Sequence, residues 1–285
     1  MAGMPSVLVT GANGNVGRNL APSLVRSGCG VRLLVRDSTR HPSVAGAHVV
    51  EGDLAEPSSL RPALEGVDSV FLLLTLLPGV EDFESIVNEI AAAGARHIVL
   101  LSSVTVLADD RNVLGELNRQ AERSVANSGI DHTFLRAGAF HSNAMAWAAS
   151  IKNDGVVHDS YAEFVSAPVD PRDIAAVARE VLWSEQHRGK VHTLTGPEKL
   201  SYLDQAAILG EVLGREITFY ELGTEKARSA MILSGRKPER VDSLLRMQRN
   251  NDEYLNDVRP TVSTILGRPA TSFRQWAQDH AGAFR

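Results

Sequence analysis

Residues 7 to 17 read Val-Leu-Val-Thr-Gly-Ala-Asn-Gly-Asn-Val-Gly, which sets glycines at 11, 14 and 17 directly behind a short apolar run. The chemistry this pattern offers is the grip of a pyrophosphate. Gly11, lacking a Cβ, permits a sharp turn off a strand. Gly14 lets the backbone approach phosphate oxygens, and Gly17 lets the following helix pack close to a sheet. Asn13, Asn15 and Val16 fill the turn between them. The free N–H groups and positive dipole end of a helix starting here favour an anion. Three spaced glycines carry little weight alone; their place behind a β-branched strand gives them meaning.

A second position decides which dinucleotide is held. Val35 closes another apolar run and Arg36 follows it, nineteen residues beyond Gly17. An acidic residue here binds ribose hydroxyls, whereas a guanidinium grips a 2′-phosphate with paired hydrogen bonds. The residue points to NADP(H), with NAD(H) as the second choice. Arg18 and Arg40 are auxiliary cations. Two competing readings stay open: a merely solvated Arg36, and an Asp37 that reverses the preference. Asp53 and Leu54 are placed to border an adenine, with a plain turn aspartate as the alternative.

These groups need a scaffold, and the chain supplies an alternating one. Val7–Thr10, Val31–Val35, His48–Val50, Ser69–Thr75, His97–Ser102 and His132–Arg136 are short apolar runs. Most are continuous, as in strands buried on both faces. Asn15–Ser27, Pro57–Glu65, Val80–Ala93 and Arg111–Asn127 suit helices, although Pro22 should kink or shorten the first. The alternation predicts an α/β, Rossmann-type doubly wound parallel sheet of order 3-2-1-4-5-6. Its ligand crevice falls at the carboxyl ends of strands 1 and 4, where Leu74 and Thr75 lie.

The dinucleotide core is expected over 1–155, with 169–196 returning to it. A smaller substrate or lid region takes 156–168 and 197–285. There Val156–Pro168 reads as a loop or hairpin, Pro171–Glu185 as a helix and Lys190–Thr195 as a strand. Ser201-Tyr-Leu-Asp204 opens a helix ending near Gly214, and Ile217–Leu222 is a strand. Residues 224–285 are mostly helical, broken at Gly235, Pro238, Pro260 and Gly267.

Composition narrows the partners. A chain of 285 residues buries roughly 75% of its unfolded surface. A net charge of −5 argues against a nucleic-acid partner. One cysteine, Cys29, excludes a disulfide framework and is consistent with a reducing cytoplasm. The longest apolar stretch, Val70 to Pro78, is far short of the ~20 residues of a membrane helix. The opening Met-Ala-Gly-Met-Pro-Ser does not read as a signal peptide. His187, His192 and His280 have no metal-ligand spacing, so no metal is expected. Arg228 to Arg249 is rich in cations, but Glu239 and Asp242 interrupt them, as in a solvated helix pair.

Further motifs recur along the chain: Gly52-Asp53-Leu54, Leu101-Ser102-Ser103, Ala121-Glu122, Ser128-Gly129-Ile130 and Phe134-Leu135-Arg136. Phe140 to Asn143, Val169-Asp170-Pro-Arg-Asp173 and Leu194-Thr195-Gly196-Pro197-Glu198 complete the set. With the glycine turn and Arg36 they resemble the atypical short-chain dehydrogenase/reductase superfamily in its NmrA-like branch. The resemblance covers about residues 5 to 222 and implies a Rossmann-type core with a small C-terminal substrate region. Members include quinone reductases and ketoreductases of aromatic polyketide pathways.

The resemblance also implies a Tyr-x-x-x-Lys pair on the helix after the fifth strand. Anchoring on Ala121-Glu122 puts those positions at Leu114 and Asn118. Leu114 cannot donate a proton, while Asn118 can hydrogen-bond ribose or carboxamide without carrying charge. The tyrosines, Tyr161, Tyr202, Tyr220 and Tyr254, all follow that helix. Three outcomes stay open. The chain binds dinucleotide without catalysis, as in the redox-sensing members it resembles, and acts through a protein partner. Or it reduces an acceptor needing little acid help, where positioning in a dry pocket is worth ~7–11 kcal/mol of barrier. Or another side chain donates the proton.

The candidate donors are Ser103, Thr105, His141, His158 and Tyr161. Ser102 and Ser103 end the fifth strand, to contact ribose or substrate or simply to cap it. Ala137, Gly138 and Phe140 belong to a segment that in the family passes the nicotinamide face. His141 follows it, with a helix-start histidine as the alternative, and Asn143 braces the loop. Tyr161 lies in the segment expected to roof a substrate. The leading expectation is an NADPH-dependent reductase of a small hydrophobic aromatic ketone or quinone, such as a natural-product tailoring ketoreductase. The redox-sensing regulator is the alternative. A nucleotide-sugar epimerase or dehydratase is weaker, because that chemistry also needs the missing tyrosine.

Overall fold

The computed structural model describes residues 5–40, 44–74, 79–109 and 111–285. In chain order the elements begin with β1 (Ser6–Val9), α1 (Gly17–Arg26), β2 (Gly30–Val35), β3 (Ala47–Glu51), α2 (Arg61–Leu64) and β4 (Ser69–Leu72). Next come α3 (Phe83–Ala92), β5 (His97–Ser103), α4 (Val113–Asn127), β6 (Asp131–Ala137), α5 (Ala148–Asp154), β7 (Val156–Asp159) and β8 (Val165–Ser166). The chain continues with α6 (Pro171–Trp183), β9 (Lys190–Leu194), β10 (Leu200–Ser201), α7 (Tyr202–Leu213) and β11 (Thr218–Glu221). It ends with α8 (Thr224–Leu233), α9 (Pro238–Asn250), α10 (Thr261–Leu266) and α11 (Phe273–Asp279).

Two compact units emerge. The first comprises Met1–Ser103, Leu117–Arg136 and Pro171–Thr193, and the second Val104–Glu116, Ala137–Asp170 and Leu194–Arg285. This differs from the expected boundary at 155. Ala144, Trp147 and Ile151 lie in the second unit's core, and Val104 and Leu114 join an apolar cluster there.

The main sheet has the order β3-β2-β1-β4-β5-β6-β9, the expected order extended by one edge strand. Its pairings from β3 through β5 are parallel, with Val7 opposite both Val31 and Ser69. The order reverses beside β1, which leaves a crevice at the carboxyl ends of β1 and β4. Side chains alternate across the sheet. Leu8, Leu34, Leu72, Ile98 and Leu100 meet Leu64, Phe83, Ile86 and Val125 of α2, α3 and α4. The intervening Val7, Val9, Leu33, Phe71 and Val99 are also fully buried. On their face α1 and α6 pack together, and α6 lies against β4 and β5. Each such side chain contributes about 1.5–3 kcal/mol. That burial explains why α1 runs on to Arg26 through Pro22: Leu20, Ala21 and Leu24 around it are buried, offsetting one missing hydrogen bond.

The second unit is stitched from short pieces. Of the loop or hairpin expected over 156–168, the hairpin does not form. Tyr161, at φ +48°, turns the chain between β7 and β8, and each strand finds a distant partner. β7 pairs in parallel with β11, and β8 antiparallel with β10. Ser201 and Asp204 form the capping box that starts α7, and Gly214 ends it at φ +68°. Pro238 sits in the first turn of α9, and Gly267 caps α10. Trp147, Ile151, Val157, Leu209, Phe273, Trp276 and Phe284 make the core. Among the described residues no helix is long and apolar enough to cross a membrane.

Candidate active site

The glycine turn has the geometry that its spacing predicts. Gly11 stands at φ +63°, and a Cβ there would lie 2.9 Å from Leu73 Cδ2. The Gly14 amide donates to the Gly11 carbonyl at 2.9 Å. A Cβ on Gly17 would be driven into that same carbonyl oxygen and to 2.8 Å from Ala12 Cα, so only glycine fits. The hydroxyl of Thr10 donates to the Phe71 carbonyl at 3.1 Å and accepts from the Leu73 amide at 2.8 Å, tying β1 to the end of β4.

The start of α1 is electrostatically open. Its N-cap, Val16, makes no side-chain cap, and no acidic residue lies in the first turn. The amides of Asn13, Asn15 and Val16 make no hydrogen bond among the described residues. Asn13 and Asn15 are exposed, and Asn15 Oδ1 accepts from Arg18 at 3.1 Å. Amides left unsatisfied at a dipole's positive end form a preformed anion cradle. The residues present therefore fit a dinucleotide pyrophosphate.

Arg36 follows β2, exposed and without a partner among the described residues. The acids nearby in sequence or sheet are occupied. Asp37 accepts from the amide and hydroxyl of Thr39 at 3.0 and 2.5 Å. Glu51 accepts from the amide and hydroxyl of Ser38 at 2.9 and 2.6 Å, and the Ser38 bonds hold its carboxyl below the usual range. The Arg40 side chain and Thr75 lie outside the described residues.

Several other candidates have structural work to do. Asp53 Oδ1 accepts from the Ala55 amide at 2.9 Å, the turn reading of that residue. Leu54 is buried, and Leu74 is fully buried in the sheet core, so its half-buried neighbour Leu73 faces Gly11 instead. Ser102 donates to Glu122 Oε1 at 2.6 Å, and Glu122 takes both prongs of Arg136 at 2.9 and 2.6 Å. Asn118 is buried on α4, and Ser103 is half-buried.

The remaining candidates belong to the second unit. Thr105 is buried in a single helical turn after β5. Ala137 is buried, and the Gly138 amide donates to the Leu194 carbonyl at 2.9 Å. Phe140 pairs with Val169 in an isolated bridge. His141 is fully buried, with its ring edge-on to Phe273 at 5.3 Å, as a packing histidine would be. His158 is exposed and stacks on Tyr220 at 5.4 Å. The Tyr161 hydroxyl pairs with that of Thr224 at 3.0 Å.

Leu114 packs with Tyr161, Tyr202 and Tyr254 around Val104, Phe164, Met247 and Leu255. Tyr202 was missed from the sequence because its place beside the capping serine reads only as a helix start. A buried polar chain runs up to it. Trp147 Nε1 donates to Asp159 at 2.8 Å, the Ser160 amide donates to the same carboxyl at 2.8 Å, and Ser160 Oγ donates to Gln248 Oε1 at 3.1 Å. Gln248 Nε2 then donates to the Tyr202 oxygen at 2.8 Å. Burial pushes Asp159 above the usual carboxylate range, and burial with Asp159 nearby pushes the Tyr202 phenol up as well. Among the described residues no group of three or more His, Cys, Asp or Glu is arranged to hold a metal.

Comparison with known proteins gives this geometry a family. The NAD(P)H-binding family matches residues 11–185. The chain is 40% identical over 280 residues to the (4-alkanoyl-5-oxo-2,5-dihydrofuran-3-yl)methyl phosphate reductase of Streptomyces griseus, covering 98% of this chain and 99% of the relative. It is 31% identical to the NAD(P)H azoreductase of Xenophilus azovorans, covering 98% and 99%. The crystal structure of an NADPH-dependent quinone oxidoreductase from Escherichia coli, complexed with NADPH, superposes with a TM-score of 0.83. It is 25% identical and covers 96% of this chain and 99% of that one. The chain belongs to the NAD(P)H-binding family and is an NAD(P)H-dependent oxidoreductase of the atypical short-chain dehydrogenase/reductase type.

Proposed function

We propose that the protein is an NADPH-dependent reductase of a small, hydrophobic, electron-poor conjugated carbonyl, an aromatic ketone or a quinone. The observation that carries this reading is the uncapped, acid-free start of α1 behind Gly11, Gly14 and Gly17. Those amides take the pyrophosphate. Arg36, exposed and without a partner among the described residues, takes the 2′-phosphate with paired hydrogen bonds, while Asp37 and Glu51 are held by Thr39 and Ser38. When bound, the reduced nicotinamide supplies a hydride equivalent.

The relatives' names support the acceptor class: a dihydrofuranone phosphate, an azo compound and a quinone all present an electron-poor conjugated system. Leu114 and Asn118 stand where the superfamily has tyrosine and lysine, so the reduction proceeds without that pair. The test mixes protein, NADPH and a panel of quinones, aromatic ketones and azo dyes, following loss of reduced-nicotinamide absorbance. Turnover with at least one acceptor, faster with NADPH than with NADH, is expected. No oxidation with any of them rejects the reading.

A further inference from the structure

Four of the nine histidines gather in one part of the first unit. His97 opens β5, His132 lies at the start of β6, and His187 and His192 flank the turn into β9. The last two differ from the others, because their ring nitrogens face each other. His187 Nδ1 lies 3.1 Å from His192 Nε2. The ring planes are 72° apart with centroids 5.0 Å apart, so the rings meet by their edges and do not stack.

The turn that carries the pair is fixed by its neighbours. Thr133 Oγ1 donates to the His187 carbonyl at 2.9 Å and accepts from His97 Nε2 at 3.0 Å. Gly189, at φ +70°, donates its amide to the His132 carbonyl at 2.6 Å. Arg188 Nη1 donates to Asp131 at 2.9 Å. The two rings therefore hold their spacing before any ligand arrives. His187 is buried at the base, but His192 is half-buried and Gln186, Arg188, Gly189, Lys190 and Val191 are exposed, which leaves the pair open to solvent. Two imidazole nitrogens aimed at one point are ligands for a late divalent transition ion. Bonds of about 2.05 Å to a shared ion, with 3.1 Å between the nitrogens, subtend about 100°, close to the tetrahedral angle. Gln186 Nε2 lies 3.3 Å from His187 Nε2. Turning that amide over offers its oxygen to the Nε2–H, the outer acceptor that orients a ligating imidazole. Burial, aided by the Lys190 charge, holds both rings below the usual histidine pKa. Lys190 also repels a cation, and the Glu180 carboxylate near His187 offsets it.

We propose that His187 Nδ1 and His192 Nε2 bind a divalent ion of the zinc class at the edge of the main sheet, with water in its remaining positions. The hydrogen that one ring lends the other moves through water to that ring's far nitrogen. Both imidazoles stay neutral, and each gives the ion a lone pair. The ion staples the turn into β9 and has no part in dinucleotide binding. The sequence leads to the opposite expectation for these histidines. Their separation of five residues fits neither a helix face nor a strand face, and only the left-handed turn at Gly189 brings the rings together.

Calorimetry of the whole protein with zinc chloride at about pH 7.5 should show a site with a dissociation constant of roughly 1–100 µM, about half the binding free energy of a four-ligand site. Magnesium chloride, whose ion takes oxygen ligands, should give no such binding. His192→Ala should weaken zinc at least about tenfold, whereas His48→Ala, at an exposed histidine on β3, should leave the affinity unchanged. His192→Gln keeps a polar side chain on the edge strand and should lose zinc to the same degree. Both His192 variants should bind NADPH as the wild type does, which separates loss of a ligand from loss of the fold. With zinc at about ten times its dissociation constant, exchange of the amides from Gly189 to Leu194 should slow about tenfold. Wild type without zinc binding, or zinc affinity unchanged in both His192→Ala and His192→Gln, overturns the proposal.

Discussion

The two units differ in what shapes them. The first uses backbone: a left-handed glycine, a helix start stripped of its cap, and a close approach that leaves no room for a Cβ on Gly17. The second uses side chains gathered from separate stretches, with Leu114, Tyr161, Tyr202 and Gln248 brought together by packing. A backbone surface is the same for any ligand with a pyrophosphate. A side-chain surface changes with each substitution and leaves the fold alone. The lesson is a division of labour, with steric rules local in sequence shaping the first arrangement and long-range packing the second.

Acid should separate the units most strongly. His97 is buried in the first, and burial, then the Arg188 charge, pushes its pKa down to about 4. Thr133 Oγ1 gives its only proton to the His187 carbonyl, so His97 donates to it from Nε2. The folded pKa lies below the ordinary 6.5. The contribution of neutral His97 is therefore complete above pH 6.5 and lost as pH falls towards 4, roughly 3 kcal/mol in all. Asp159 has the opposite sign. Its folded pKa is raised, so its charged form is penalised at neutral pH, and the penalty fades as pH falls through that value. Hydrogen exchange on going from neutral pH to about 4.5 should loosen β5 and β6 while sparing β7. Loosening of β7 first would break the contrast.

Gly17→Ala comes next. Overpacking at this point costs about 1–3 kcal/mol, and NADPH affinity should fall by up to about 100-fold in calorimetry. Hydrogen exchange across α7 and α11 of the second unit should be untouched. Loosening there as well would mean that the two units do not act separately. Arg36→Ala sharpens the same point: NADPH should bind about 10–100-fold more weakly and NADH nearly as before, since only NADPH carries the phosphate. Equal losses would misplace the arginine. The smallest effect belongs to Ser201→Ala, which removes half of the α7 capping box. It should cost about 1 kcal/mol in urea denaturation and leave NADPH affinity unchanged.

The same division explains what the sequence discloses. The parallel sheet is legible because continuous apolar runs are what strands covered on both faces require, and Gly11 to Gly17 obey a local steric rule. The Ser201–Asp204 capping box is legible because both partners lie within one turn. The unit boundary is not, because Trp147 and Ile151 choose their core by long-range packing. β7 and β8 are too short to show a period, so their partners β11 and β10 cannot be read. The bond from Ser102 to Glu122, which Arg136 also holds, joins three separate elements and leaves no local signal in the sequence. Leu73 and Leu74 differ only in which face the end of β4 presents, a phase that shifts with one residue of strand length.

The bare start of α1 has a consequence beyond recognition. Peptide groups that meet no acceptor among the described residues gain one when a diphosphate arrives, so occupancy adds to folding stability by mass action. Heat and protease resistance should then track the surrounding coenzyme supply. A cell that runs short of dinucleotide would shed this polypeptide sooner, with no dedicated signal required.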